Sequence, residues 1–338
     1  TYNRGALGVA GHGLKEEDEL SKLVFANSLD TMLFFTNKGR VYSEKVYRIL
    51  ECNRTDKGTP VVNVINLEGD EKVTELIAVS EFDPRAHLVM VTAKGKIKRN
   101  ALSDYANVRT NGIIAIGLEE DDDLKWVLQT DGDCYVILAT ESGKGLRYHE
   151  TKVRRMGRQA RGVRGMKVAA GDRLAFVDVA KEEDYLLVVG EKGIGKRTPV
   201  KNIPTHGRIS SGVMITNKRM LHVTGKVISA TVLRENDDVT FITTYGHVVR
   251  LKGDSIPVNG RTARGVRLLR LADDDTVAAV TSNDPDDIPV DVIPESTDLE
   301  PEIEMAEELE EELAEDLDEA DDLEEDDDAS ETEPEDED

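Results

Sequence analysis

Cysteine is scarce in this chain: its 338 residues hold two, Cys52 and Cys134. They have neither metal-ligand spacing nor partners for a disulfide framework, which points to reduced thiols with a structural role in a cytoplasmic protein. No apolar run approaches the roughly 18 residues of a membrane-crossing helix, and the start lacks the basic-then-apolar pattern of a secretion signal. Aromatics make up 4% of the chain and are not interleaved with basic residues, which disfavours stacking on single-stranded bases. The six histidines, His12, His87, His149, His206, His222 and His247, do not cluster at ligand spacing. A Walker loop, a nucleophile elbow and a set-apart carboxylate pair are all missing, and "GVAGHG" near the start opens no helix, so catalysis and metal binding find no support.

Basic residues are also missing from one end. Residues 283–338 carry 31 acidic side chains and no Lys or Arg, whereas residues 1–282 carry 37 acidic against 43 basic ones. The net charge of −25 therefore hides a mildly basic body and an acidic tail. The tail opens on the proline-rich "NDPDDIPVDVIPESTDLEPE", reads as a linker, and continues into a stretch with Leu309, Leu313 and Leu317 one helical turn apart. It is too acidic and too poor in apolar groups to order itself as a core, and it is expected to be largely disordered. Tethered to a basic surface, it would act as an internal competitor for that surface.

The body is repetitive. An Arg, three residues, a Gly and a β-branched residue recur at Arg4/Gly8/Val9, Arg54/Gly58/Thr59, Arg158/Gly162/Val163, Arg208/Gly212/Val213 and Arg261/Gly265/Val266, with a shorter copy at Arg109/Gly112/Ile113. The glycines step by 50, 54, 50, 50 and 53 residues. A second marker, a hairpin-like turn glycine at Gly39, Gly95, Gly143, Gly193 and Gly246, precedes the next copy by 19, 17, 19, 19 and 19 residues. Between markers lie short apolar strands such as "TMLFFT", "HLVMVTA" and "YLLVVGE", about four in each unit of roughly 50 residues, the size of a propeller blade. Six Arg-Gly copies against five hairpin glycines imply that one blade is split between the two ends. Acidic clusters such as "LEEDDDL" lack the spacing of a calcium loop and read as solvated turns, while Trp126 and the apolar strand residues read as core.

Glycine and the β-branched residue serve a turn and a strand, but the arginine is needed for neither. Candidate phosphate contacts on the Arg-Gly copies are Arg4, Arg54, Lys57, Arg109, Arg158, Arg161, Arg164, Arg208, Arg261, Arg264 and Arg267. Around the hairpin glycines they are Arg40, Lys45, Lys96, Lys98, Arg99, Lys144, Arg147, Lys196, Arg197 and Arg250. The repeat operator is expected to set both groups on one rim. A curved band of cations suits duplex DNA gripped by its backbone and selected by deformability. Neutralising about six to ten phosphates would make affinity fall about 10³ to 10⁵-fold between 50 and 200 mM salt.

The phrases "MLFFTNKGRVYSEKVYRI", "GVRGMKVAAGDRL", "KIKRNALSDYANVRTNGIIAI" and "GKRTPVKNIPTHGR" resemble the C-terminal domain of the DNA gyrase A subunit, to which that of the topoisomerase IV A subunit is close kin. The likeness runs from Tyr2 to about Ser282. It implies an all-β, six-bladed β-pinwheel over residues 1–282 that wraps DNA on its rim and supports negative supercoiling, followed by a modulating acidic tail over residues 283–338. It also implies a bacterial cytoplasmic, nucleoid-associated protein whose partners are the gyrase B subunit, duplex DNA and the catalytic core of the A subunit. The catalytic tyrosine, and the ATP and magnesium of such an enzyme, would belong to other parts of it, so no cofactor is expected in this chain. The family's first-blade basic box, Q-[RK]-R-G-G-[RK]-G, stands here as "YNRGALG", keeping Arg4, Gly5 and Gly8 but placing Tyr2, Asn3, Ala6 and Leu7 at the other positions. The stronger contact is therefore expected at Arg158, Arg161 and Arg164. The alternatives are topoisomerase IV-like DNA binding and a propeller-type protein scaffold, whose blades would bury an apolar patch rather than display cations.

Overall fold

The computed structural model describes residues 9–10, 24, 26–51, 58–108, 110–272 and 274–283. All of them belong to the first of two compact units, Thr1–Ser296, the second being Thr297–Asp338. The acidic tail from residue 284, its leucine stripe included, lies outside the described residues. So does the whole of the degenerate basic box, Tyr2 to Gly8; of Cys52 and Cys134, only Cys134 is described.

Twenty strands, numbered along the chain, form five hairpins and their partners. The hairpins are β2–β3 (Thr31–Thr36, Arg40–Lys45), β5–β6 (His87–Thr92, Lys96–Ala101), β9–β10 (Tyr135–Thr140, Lys144–His149), β13–β14 (Tyr185–Gly190, Ile194–Pro199) and β17–β18 (Asp238–Thr243, His247–Lys252). Each turn is closed by the N–H of its glycine. That of Gly39 donates to the Thr36 carbonyl at 2.9 Å, and the Thr36 hydroxyl accepts from the Arg40 N–H at 3.3 Å. Gly39 sits at φ 75°, left-handed backbone that glycine tolerates best.

A seven-residue strand follows each hairpin unit and pairs with its first strand: β4 (Val73–Val79), β8 (Leu124–Thr130), β12 (Leu174–Ala180), β16 (Val227–Leu233) and β20 (Val277–Asn283). A two-residue strand arrives from the next unit and pairs with the second: β7 (Ile113–Ile114), β11 (Val163–Arg164), β15 (Val213–Met214) and β19 (Val266–Arg267). The sheets thus read β4-β2-β3-β7, β8-β5-β6-β11, β12-β9-β10-β15, β16-β13-β14-β19 and β20-β17-β18-β1, where β1 is Val9–Ala10 from the start of the chain. The last sheet is the split blade expected from the marker count. Neighbouring sheets meet through β4, β8, β12, β16 and β20, so the two-residue strands form the outer edge of a propeller-like array.

There are five such sheets among the described residues, not six. The resemblance implies six blades, but a blade needs its own hairpin and there are five among the described residues; the additional Arg-Gly copy at Gly58 builds no edge strand. Gly58 has open space around it and no left-handed backbone. Thr59 lies in no strand, and Pro60, which has no N–H to donate to a ladder, leads into a 3-10 turn at Val61–Asn63.

Hydrophobic layers fill the spaces between sheets, and the period of two sorts the side chains. Leu88 and Met90 of β5 pack toward Leu33 and Phe35 of β2, while Val89 and Val91 pack toward Val136 and Leu138 of β9. Both faces of an interior hairpin are buried, which is why these strands read as continuous apolar runs rather than as alternating ones. Trp126 is partly buried against the second of these layers.

Candidate nucleic-acid interface

The outer edge is built by loops that leave one sheet and are pinned to the one before it. After β10, the chain crosses back to β6, where the Met156 N–H donates to the Arg99 carbonyl at 2.9 Å. A tight turn follows, closed by the Ala160 N–H on the Gly157 carbonyl at 3.1 Å, with Arg158 and Gln159 at its tip. Gly162, at φ +79°, then turns the chain into β11, and a Cβ there would stand 2.6 Å from the Ile97 carbonyl oxygen. The Gly165 N–H fastens the far end to the Gly95 carbonyl at 2.8 Å. The construction repeats at Gly207-Arg208-Ile209-Ser210, held to the Arg147 and Gly143 carbonyls, and at Gly260-Arg261-Thr262-Ala263, held to the Arg197 and Gly193 carbonyls.

Two buried lysines complete these anchors. The Lys98 ammonium donates to the carbonyls of Ala115, Gly157 and Arg158. That of Lys196 donates to Gly260 at 2.7 Å and Arg261 at 2.6 Å. Burial pushes the pKa of each from 10.5 down to about 7.

None of the hairpin cations expected on the rim is exposed: Lys98, Arg99, Arg147 and Lys196 are buried, and the other six are half-buried. Arg99 pairs at 3.1 Å with Glu150, whose carboxylate also accepts from Thr130 at 2.8 Å and from the Cys134 N–H at 3.0 Å. Arg147 is buried over the Tyr135 ring at 4.7 Å, with Glu182 at 3.8 Å. Arg197 lies 5.0 Å over Tyr185 and donates to the Asp254 carbonyl at 2.9 Å. Arg250 pairs with Asp238 at 2.6 Å, Arg40 with Glu68 at 3.0 Å, and Lys96 with Glu119 at 3.0 Å. Lys45 donates to the Leu29 carbonyl at 3.2 Å, and Lys144 is half-buried. The physical reason is the incoming loop. It covers the strand that carries the residue four places after each hairpin glycine, so that residue becomes part of the blade's interior.

The Arg-Gly copies divide in two. Arg208 donates to the Arg164 carbonyl at 2.5 Å and Arg261 to the Met214 carbonyl at 2.7 Å, so each half-buried guanidinium ties one edge loop to its neighbour. Arg158, Arg161, Arg164, Arg264 and Arg267 are exposed and have no ion pair among the described residues. Arg4, Arg54, Lys57 and Arg109 lie outside the described residues.

Exposed cations that the repeat marker missed stand beside them: Arg154, Arg155, Lys167, Lys201, Lys218, Arg219 and Arg270. The signal for most of them is the absence of acid. There is no Asp or Glu from residue 151 to 171 or from 192 to 234. Cys134 lies apart from this surface; its thiol is pushed up to about 11, first by burial and then by Asp131, which makes it a poor nucleophile.

Residues 30–80, 86–131, 135–181, 184–244 and 237–284 match the family described as DNA gyrase C-terminal domain, beta-propeller. The chain belongs to this family. The A subunit of DNA gyrase from Staphylococcus aureus (strain NCTC 8325 / PS 47) is 41% identical over 281 residues, which make up 82% of this chain and 32% of that protein. The chain thus spans about a third of the length of the curated relatives it matches. A solved structure of a DNA gyrase A C-terminal domain has a TM-score of 0.71 at 26% identity, covering 83% of this chain and 92% of that one. The C-terminal domain of DNA topoisomerase IV shares the fold, with a TM-score of 0.68 at 24% identity over 76% of this chain and 80% of that one. The five stretches matched to the gyrase family each contain one of the five hairpins.

Proposed function

We propose that this chain binds duplex DNA without reading its sequence and wraps it along the outer edge, as the non-catalytic C-terminal domain of a gyrase A subunit. The observation that carries this reading is the set of exposed arginines without ion pairs among the described residues, Arg158, Arg161 and Arg164 on one edge loop and Arg264 and Arg267 on another of the same build. Arginine offers phosphate a planar fork, and the glycine-rich turns leave backbone N–H groups close by. In this reading the domain bends DNA for the A subunit's catalytic core and, with the gyrase B subunit, supports negative supercoiling in the bacterial cytoplasm. ATP and magnesium act elsewhere in the enzyme. The acidic tail competes with DNA for the basic edge.

The test is a change in DNA topology. Relaxed nicked circles are resealed with the chain bound and deproteinised, and their linking number is measured. Wrapping shifts it in proportion to the protein bound, and removal of residues 283–338 enlarges the shift. An unchanged linking number at saturation refutes wrapping.

A further inference from the structure

The cations of the outer edge are not evenly distributed, and their partners differ from sheet to sheet. On the sheet of β2 and β3 three of the basic side chains are matched by acids, Lys38 lying 3.6 Å from Asp70, Arg40 3.0 Å from Glu68 and Arg48 3.2 Å from Glu44, while Lys45 donates to the Leu29 carbonyl. The loop that arrives there, residues 102–114, exposes Ser103, Asp104, Ala106, Asn107, Asn111 and Ile114 and has no exposed cation among its described residues.

The register makes the comparison residue by residue. The second residue of the edge strand is Ile114 opposite Arg40, Arg164 opposite Lys96, Met214 opposite Lys144 and Arg267 opposite Ile194. Ile114 is 46% exposed. The loops onto the next three sheets carry exposed cations without ion pairs among the described residues, and two of them lie in the acid-free segments. Like charges gathered without counter-charges repel one another, and a polyanion relieves that repulsion.

We propose that DNA is gripped along an arc of three consecutive edges, those of β11, β15 and β19, and leaves the protein at the edge of β7. This rests on the DNA-binding reading above and adds a polarity to it. Phosphates are drawn to unpaired cations on the arc. At the β7 edge they meet Asp104 and Ile114 together with Lys38, Arg40 and Arg48, already paired with acids, so the duplex straightens away from the surface there.

The experiment uses the full chain and linear random-sequence duplexes, with binding measured against salt and hydroxyl-radical footprints taken on the same complexes. Three arc variants, Arg158→Glu/Arg161→Glu/Arg164→Glu, Lys201→Glu/Lys218→Glu/Arg219→Glu and Arg264→Glu/Arg267→Glu/Arg270→Glu, are compared with Lys38→Glu/Arg48→Glu. Each arc variant is expected to reduce the salt slope by about 2 to 3 and to shorten the footprint. Lys38→Glu/Arg48→Glu changes neither. A gain variant, Asp104→Lys/Ile114→Arg, lengthens the footprint at one end and steepens the slope, which keeps the test decisive if an arc variant folds poorly. Weakening by Lys38→Glu/Arg48→Glu equal to that of an arc variant overturns the arc while leaving DNA binding standing. No binding of duplex by the unaltered chain at low salt overturns both.

Discussion

Replacing Lys98 with Met tests whether the edge loops are held from inside the blade. The Lys98 side chain has no exposed surface, and its ammonium serves the carbonyls of Ala115, Gly157 and Arg158. Removing the donor leaves those oxygens under-satisfied, at about 1 to 3 kcal/mol each when no water replaces it. Against this stands the penalty of the buried charge. A pKa that burial lowers from 10.5 to about 7 corresponds to roughly 5 kcal/mol against the charged form. Between these two values the unfolded chain holds the proton and the folded chain does not, so stability rises with pH, by up to about 1.4 kcal/mol per pH unit. Below about pH 7 both states are charged and the whole penalty is present; above about 10.5 both are neutral and it is gone. Lys98→Met lacks this dependence. The variant should therefore lie between about 2 kcal/mol above and about 4 kcal/mol below the parent near pH 6.5, and the parent should gain about 3 kcal/mol on it by pH 9. Urea unfolding at a series of pH values measures the gap. A gap that stays constant across that range refutes a desolvated Lys98. Lys196→Met gives a second such series, additive with the first because the two lysines serve different sheets.

Arg99→Met should cost about 3 to 5 kcal/mol in the same unfolding assay, because it strands the fully buried Glu150 carboxylate without its cation; a loss under about 1 kcal/mol would show that Glu150 does not depend on that partner. Gly162→Ala should lower stability by about 2 kcal/mol or more, since it combines a left-handed backbone with a Cβ 2.6 Å from the Ile97 carbonyl oxygen. Gly207→Ala, with open space around it, should stay within about 0.5 kcal/mol of the parent by thermal unfolding. Equal losses at the two glycines would refute the claim that the edge-strand glycine, and not the turn glycine, is sterically required.

Much of the fold is written in local sequence. A turn glycine just past the end of an apolar strand, with basic residues following it, is a hairpin that can be read without any partner, and five of these match the five sheets. The split last blade follows from the same marker count. What local sequence does not carry is the partner of each edge strand. The Arg54/Gly58 copy has the right spacing, yet a Cβ at Gly58 would meet nothing and Pro60 cannot continue a ladder, so the Arg-Gly spacing overcounts the edge strands. The hairpin arginines fail as rim residues for a related reason. Whether Arg99 points to solvent depends on the loop around Arg155 lying beside it, a pairing set by the following unit and invisible in the four-residue offset from Gly95. The site is more legible in what is missing: the acid-free segments mark the edge loops more closely than the arginine count does.

Holding these loops so firmly suits the proposed bending of DNA. Bending a short duplex by 40 to 90° costs on the order of 1 to 6 kcal/mol, recovered only if phosphates meet cations at fixed intervals along a curve. A loop free to follow a straight duplex would make the same contacts without bending it. Here each turn is tied by backbone bonds at both ends, two of them by a buried ammonium beneath. Arg208 and Arg261 tie successive edges to each other. In the proposed reading the cationic repeats are divided by function: some fix the curvature, and Arg158, Arg161, Arg164, Arg264 and Arg267, without ion pairs among the described residues, are the ones to transmit it to DNA.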